Sequence, residues 1–407
     1  MISRTGLLSS ILLASTLPAG NLWAQALLHG SGSGSGPVHL LESDAAVFEL
    51  NEARKDIPCT VTPVKPVLGF DLRFHAGYEI TVPLREFAGD GDLLTVIFRV
   101  APSTAKDSPT YFTQKFTVPS IEEDARGDAS LQGGFDLGEG DYHVDWLMRN
   151  KEERVCSSSW DSGASLPSRD KETRLSISRN AIDASADDFF YEEPAVTRDA
   201  SAPLKVKVLI NFAPQSSFAS AMRPVDTSAL ISILRNISRE PRIGHFSIVA
   251  FNMNEQRVLY KNDDAEQIDF PELGQALSQA KFGMVDYKKL ADKHSESDFL
   301  TGLIGDELNH PDADAVIFAG PKIMLDDNIP QENLKDIAGL PCPVFYMNFN
   351  LNPQQNPWRD SIGTVVKRLR GYEYTITRPR DLWASWSDIM SRVVKLKLNA
   401  ASVASSK

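Results

Sequence analysis

The sequence is short of the residues that most often carry chemistry. Its 407 residues hold three cysteines and seven histidines. None forms a Cys-x-x-Cys pair or a cluster with zinc spacing, which excludes a zinc-ribbon or thioredoxin-type centre. There is no Gly-x-Ser-x-Gly elbow, no His-Glu-x-x-His and no phosphate-loop motif. His294 and His310 sit in polar surroundings and read as surface residues, and His245 opens a strand and reads as structural. Positive charge is also in deficit. The 42 Lys and Arg face 54 Asp and Glu, a formal charge of −12, which argues against nonspecific binding to nucleic acid or an anionic membrane. Beyond the N-terminus no apolar run approaches the ~20 residues that a membrane span needs.

What is present describes an exported globular protein. Apolar residues make up 42% and charged residues 24%, as in soluble domains, and the length calls for two of them. The chain opens with basic "MISR" and the apolar run "TGLLSSILLASTLPAG", followed by Ala24 and Ala26 in an A-x-A pattern. This predicts a secretory signal peptide over 1–26, cut after Ala26, and a periplasmic or extracellular product. Residues 27–37, with "GSGSGSG", read as a flexible segment. They are not a phosphate loop, since no strand precedes them and no Lys-Ser/Thr follows.

An oxidising compartment permits a bridge between Cys59 and Cys156, which bracket one β-rich region. Closing a loop of that length stabilises by about 4–5 kcal/mol in the chain-entropy model. Cys342, in "LPCPVFYMNFN", reads as a small core residue. Residues 38–175 carry repeated β signals, among them "GFDLRFHAGYEITVPL", "DLLTVIFRVAP" and "YFTQKFTVP", separated by turns such as "AGDGD" and "LGEGD". Short alternating runs without a long helix predict an antiparallel sandwich. Within it, "YHVDWLMRNKEERVCSSSWD" resembles a hairpin of an immunoglobulin-like domain, with Cys156 on the return strand. Residues 176–203 are polar and acidic and read as a linker, in which Phe189, Phe190 and Tyr191 are expected to pack onto one domain.

From Leu204 the grammar changes. "LKVKVLINFA" reads as a strand and "VDTSALISILRNISRE" as a helix capped by Asp226 or Thr227, with Leu230, Ile233, Leu234 and Ile237 as its apolar stripe. "HFSIVAFNM" and "QRVLYK" read as a hairpin. "FPELGQALSQA", "DYKKLADKH" and "SDFLTGLIGDELN" read as helical. Strand signals in "ADAVIFAGP", "CPVFYMNFN" and "YEYTIT" then alternate with helix signals in "PQENLKDIAG", "WRDSIGTVVKRLRG" and "LWASWSDIMSRVVKLK". Alternation predicts a mostly parallel, doubly wound α/β sheet, and the hairpin predicts one antiparallel strand at its edge. Residues 204–398 form the second domain on this reading, and 200–407 should fold alone. Residues 399–407 read as a disordered tail.

This order resembles the von Willebrand factor A fold, with "FSIVAFN" and "ADAVIFAGP" in the places of its second and fourth strands. The resemblance implies a divalent cation at the strand tips, held by Asp-x-Ser-x-Ser, a loop Thr and an Asp. Here the first motif reads Asn211, Ala213 and Gln215, and the fourth strand ends Ala319-Gly320-Pro321. Only Thr301 lies near an expected ligand position. A hard cation wants carboxylate oxygens, so no metal and no cofactor are expected.

The crevice at the carboxyl ends of such strands remains the default ligand position. Asn211, Gln215, Ser216, Ser217 and Lys322 would line it, either as a capped turn or as a docking surface where Lys322 replaces the metal charge and meets an acidic partner. "GDELNHPDAD" gathers Asp306, Glu307, His310, Asp312 and Asp314 but fits no standard metal loop and reads as a solvated acidic turn. The resulting expectation is a secreted, non-enzymatic module that binds an extracytoplasmic protein. The alternative is a carbohydrate-binding or hydrolytic protein with its site in the sandwich, where Tyr142, Trp146 and Trp160 would stack a sugar.

Overall fold

The structure is a computed structural model that describes residues 25–28, 40–50, 53–185, 189–199, 201, 203–215, 222–280, 295–309, 312–323, 340–351 and 360–405. Most of the expected signal peptide and Gly/Ser segment, Ser216, Ser217, His294, His310 and the helices expected in "DYKKLADKH" and "PQENLKDIAG" lie outside the described residues.

The first half is a sandwich of two antiparallel sheets. One has the order β1 (Gln25–Leu28), β5 (Thr110–Val118), β4 (Asp92–Pro102), β7 (Gly140–Arg149), β8 (Val155–Ala164). The other runs β2 (Thr60–Leu68), β3 (Phe74–Pro83), β6 (Asp128–Leu137), β9 (Ile182–Ala184). Alternate residues of each strand point inward, so Tyr78, Phe98, Phe112, Phe135 and Trp146 meet in one apolar core. The Phe98 and Phe112 rings stack at 4.9 Å. Cys59, just before edge strand β2, is bonded to Cys156 on edge strand β8, with Cα atoms 6.4 Å apart. The bridge therefore closes one side of the sandwich. β1 contains Ala26, so cleavage after that residue would leave only Leu27 and Leu28 of this strand.

A helix the sequence reading did not anticipate, α1 (Glu42–Leu50), lies on the outer face of the five-stranded sheet. Its Val47 and Phe48 bury Ile97, Leu147 and Val155, which is why β4 and β7 are apolar on both faces. Between the sheets' outer surface and the second half, His75 is nearly enclosed. Its Nδ1 and Nε2 meet Asp136 at 2.7 Å and Asp71 at 3.0 Å.

The second half is a six-stranded sheet in the order β12 (Arg257–Ala265), β11 (Ile243–Asn252), β10 (Leu204–Asn211), β13 (Ala315–Pro321), β14 (Val344–Phe349), β15 (Tyr372–Ile376). All neighbours are parallel except the edge hairpin β11–β12. Val206, Val208 and Ile210 face a layer that includes α2 (Pro224–Ser238), α3 (Phe270–Ala280) and α6 (Pro379–Ser405). Leu209, Val316 and Phe318 face α4 (Ser295–Leu308) and α5 (Ser361–Arg368). Two covered faces explain the continuous apolar runs. Cys342 is buried in the second of these layers, as a core residue.

Three boundaries differ from expectation. α2 begins at Pro224, with Arg223 as its cap and no side-chain capping bond. Proline suits that first position because its missing N–H is one the helix leaves unbonded. Asp226 instead takes two bonds from Arg223, at 2.7 and 3.0 Å. α6 continues to Ser405, through the expected tail, on alanine-rich sequence of high helix propensity. The expected linker is also no free tether. Its β9 completes a sheet, Phe189 and Phe190 pack against the second core, and buried Glu193 holds Arg239 at 2.6 Å and Arg235 at 2.8 Å. Among the described residues no helix is long and apolar enough to cross a membrane.

Candidate functional site

The parallel strands end along one line. Ile210 pairs with Ala319, Gly320 with Asn348, and Asn348 with Thr375. Asn211, Gly320, Asn348 and Thr375 therefore form a row across four strands, on the face covered by α4 and α5. Gly320 has φ +155°, and a Cβ there would lie 2.9 Å from the Asn211 carbonyl oxygen. Only glycine allows β10 and β13 to close so tightly at this end.

Asn211 is 0% exposed. Its Oδ1 accepts from the N–H groups of Ala213 at 3.1 Å and Met253 at 3.3 Å, ordinary turn chemistry for asparagine. It ties the ends of β10 and β11 together and is not a surface group, which corrects its assignment to a docking face. Gln215 is half-buried in the following bend. Thr301 sits inside α4, where its hydroxyl donates to the Ser297 carbonyl at 2.7 Å, so it does not turn towards the strand tips as a ligand.

Lys322 is where the expectation changes most. Its ammonium is paired with Glu373 at 2.8 Å and its side chain is only 14% exposed. Glu373, on β15, also accepts from Asn348 Nδ2 at 3.0 Å. The lysine charge is thus neutralised within the chain, and is not held out for an acidic partner. Beside this pair lies Asp360, the cap of α5. Its carboxylate accepts from Ile323 N–H at 3.3 Å and Gly363 N–H at 3.1 Å. Burial pushes the Asp360 carboxyl up to about 6; the Glu373 charge adds to this, while the two backbone bonds and Lys322 oppose it. Tyr346, fully buried below, donates to the Pro321 carbonyl at 3.1 Å. Burial and the neighbouring carboxylates hold its phenol far above the usual range.

Two amide atoms in the row have no partner among the described residues: Asn211 Nδ2 and Asn348 Oδ1. A buried polar atom left unpaired costs about 1–3 kcal/mol, and Asn348, like Asn211, is 0% exposed. The sequence reading found Lys322 but missed Asp360, Asn348 and Glu373. Asn348 was the visible signal, a lone amide inside the apolar run "VFYMNF".

The acidic turn near α4 differs in part from the one expected. Glu307 is buried and bonded by Lys207 and Lys261, each at 2.7 Å. Asp312 pairs with Lys205 at 2.6 Å and Asp314 with Lys397 at 2.8 Å. Glu307 is thus withdrawn from the turn into a buried lysine pair, while Asp312, though paired, keeps 89% of its side chain in solvent and Asp306 is exposed, as a solvated turn requires. Among the described residues no group of three or more potential ligands converges on a metal position. In the sandwich, Tyr142 and Trp146 are 1% and 0% exposed and belong to the core, with Trp160 packed against it. Tyr142 and Trp146 are therefore closed to a sugar, whereas Trp160 is only partly buried, on edge strand β8.

No protein-family model matches the chain, and no curated protein does. Among solved structures it is similar to the D319A mutant of the PilB minor pilin from Streptococcus sanguinis, at 8% identity and a TM-score of 0.29, over 74% of this chain and 88% of that one. It is also similar to a glycosyl hydrolase family 2 member from Bacteroides cellulosilyticus DSM 14838, at 10% identity and a TM-score of 0.19, over 78% of this chain and 38% of that one. A third is Bacteroides uniformis beta-glucuronidase, at 9% and 0.19, over 73% and 34%. Likenesses this distant identify neither fold nor activity, and the site must be read from its own residues.

Proposed function

We propose that this chain is an extracytoplasmic, non-enzymatic protein-interaction module. On this reading its second half is a von Willebrand factor A-like domain over 204–398 without that family's cation motif, and an immunoglobulin-like sandwich over 38–175 precedes it. The strand order β12-β11-β10-β13-β14-β15, with one antiparallel edge strand, supports the resemblance. The Cys59–Cys156 bridge suits an oxidising compartment, in keeping with the signal peptide expected from the sequence.

The observation that carries the reading is the Lys322–Glu373 pair, which joins the residue just beyond β13 to the second residue of β15. Ligands of open α/β sheets bind at the carboxyl ends of the strands, and the ammonium found there, Lys322, is held within the chain by Glu373. Among the described residues the surroundings offer hydrogen-bonding and charged groups for docking, with no nucleophile paired to a base.

The test is capture of a partner from the chain's own envelope or culture fraction, by wild type and by Glu373→Lys, with and without chelator. The expected result is capture that survives chelator and is lost in the variant at unchanged melting temperature. Capture that needs a divalent cation, or that ignores the variant, contradicts the proposal.

A further inference from the structure

We propose that the outer face of α6 takes up an acidic amphipathic helix from a protein partner, in a groove walled by Arg242. This surface lies at the other end of the sheet from Lys322 and does not rest on the reading above. Lys397 of α6 donates to the carbonyl of Pro203, just before β10, and to Asp314, just before β13. Those bonds fix this part of the helix at the amino ends of the strands.

The argument starts from which side of α6 the core uses. Leu382, Trp386, Ile389, Met390 and Val393 are buried in the core of the α/β half, and their spacing of one to four residues makes one apolar seam. A second stripe runs beside it at helical spacing: Trp383, Ser387, Ser391, Val394 and Leu398. One seam is enough to hold a helix on a sheet, yet Trp383 is 76% and Leu398 64% exposed. Ser387, Ser391, Val394, Lys395 and Leu398, with Arg242 from the turn before β11, line a surface groove of about 440 Å³. Large apolar groups at the ends of a stripe and small ones between them give the relief into which a second helix packs. From Trp383 to Leu398 the stripe runs for about four turns, roughly 22 Å.

Backbone chemistry favours a helix over an extended peptide in that groove. α6 uses its own N–H and C=O groups internally, so a strand laid on it would find no ladder, whereas a helix satisfies its own backbone. Charge then selects the kind of helix. The groove has two basic residues in its lining and no acid. Arg242 is braced from behind by buried Glu240, which takes its Nε at 2.5 Å and one terminal nitrogen at 3.0 Å, and which also accepts from Trp386 Nε1 at 3.1 Å. The guanidinium still keeps 43% of its side chain exposed. Lys395, and Arg380 two turns before Ser387, are exposed and have no ion pair among the described residues. This face is therefore locally positive on a chain of −12, so an acidic partner repelled elsewhere is accepted here. A second copy is disfavoured, because a two-fold contact sets the same patch against itself and brings Lys395 and Arg242 towards their own equivalents.

The probe is a fluorescent, hydrocarbon-stapled helical peptide of about 15 residues, with leucine along one stripe and glutamate on both flanks, titrated into the full-length oxidised protein. The controls are the same helix with lysine for glutamate, and an unstapled peptide of scrambled acidic sequence. Wild type should bind the acidic helix and neither control. Trp383→Ala and Leu398→Ala should each weaken that binding roughly tenfold, at unchanged melting temperature because both side chains are exposed. Lys395→Glu should weaken it as well, while Lys151→Glu, the same charge reversal in the sandwich, should not. Failure of wild type to bind the acidic helix overturns the inference, as does equal affinity for the α6 variants, the scrambled peptide or the lysine helix. Two further results would assign the groove to another occupant and equally overturn it. One is a dimer in sedimentation equilibrium that Trp383→Ala splits. The other is binding to phosphatidylglycerol vesicles that Trp383→Ala abolishes. None of these variants alters Lys322 or Glu373, so the outcome leaves the strand-end reading to its own test.

Discussion

His75 shows how far a single residue can depart from its sequence-level reading. Nothing around "LRFHAGYE" marks it, yet it is buried between Asp136 and Asp71. Burial works against its charge, but the hydrogen bonds and negative charges of the two aspartates prevail and raise its pKa from 6.5 to about 10. A histidine whose folded pKa is raised stabilises the fold fully below its unfolded pKa and loses that contribution as pH rises through the folded one. Stability should therefore be insensitive to this group up to about pH 6.5 and decline as pH approaches and passes about 10. Imidazole resonances followed by NMR would check this. A His75 ring that titrates in the ordinary range near 6.5 would refute the buried-imidazolium account. The same distance problem hid the ion pair of Lys322. Its partner Glu373 is far along the chain, and only the pairing of β14 with β15 brings it near. Sequence spacing can suggest that a lysine stands at a strand tip, but not what neutralises it.

At the scale of elements the sequence was more legible where one period dominates. β10, β13 and β14 are short apolar runs closed by turn residues, and their alternation with helices led directly to a parallel sheet with an antiparallel edge. α2 was legible from its stripe of Leu230, Ile233, Leu234 and Ile237, all buried, although its cap was misplaced because Pro224 can open a helix without a capping side chain. α1 was not legible. "ESDAAVFEL" spans nine residues, too short for periodicity to stand out, and it forms because Val47 and Phe48 find an apolar sheet face. The disulfide was legible because both cysteines bracket the sandwich, but the pairing matters through elements: it joins the edge strand of one sheet to the edge strand of the other. Replacing Cys59 and Cys156 together by alanine should lower unfolding free energy by about 4–5 kcal/mol, measured by denaturant titration. A loss within error would mean that Ile57 and the rest of the core hold these edges without the bridge.

The whole molecule is more closely joined than its composition implied. The polar stretch 176–203 looked like a tether because its apolar residues are few, and burial of Glu193 between two arginines cannot be read from composition. Phe70, from the sandwich side of the chain, is buried in the core of the α/β half together with neighbours of Phe189 and Phe190. Arg378, beside α6, reaches back to Asp170 at 3.3 Å. A fragment starting at residue 200 would lose all of these contacts, so its independent folding no longer follows from the apolar pattern of 204–398. Within the α/β half, the cap of α5 is bonded to the chain just beyond β13, beside the Asn348–Glu373 contact, and that is where the account places function. Its central claim is that Lys322, and not a metal ion, is the cation of this end of the sheet. The most direct measurement is the melting temperature of the intact protein in millimolar magnesium, manganese or calcium, compared with chelator. An ion that binds only the folded chain must raise it. The account predicts no shift for the wild type; a reproducible rise of several degrees that disappears in Asp360→Asn would contradict it.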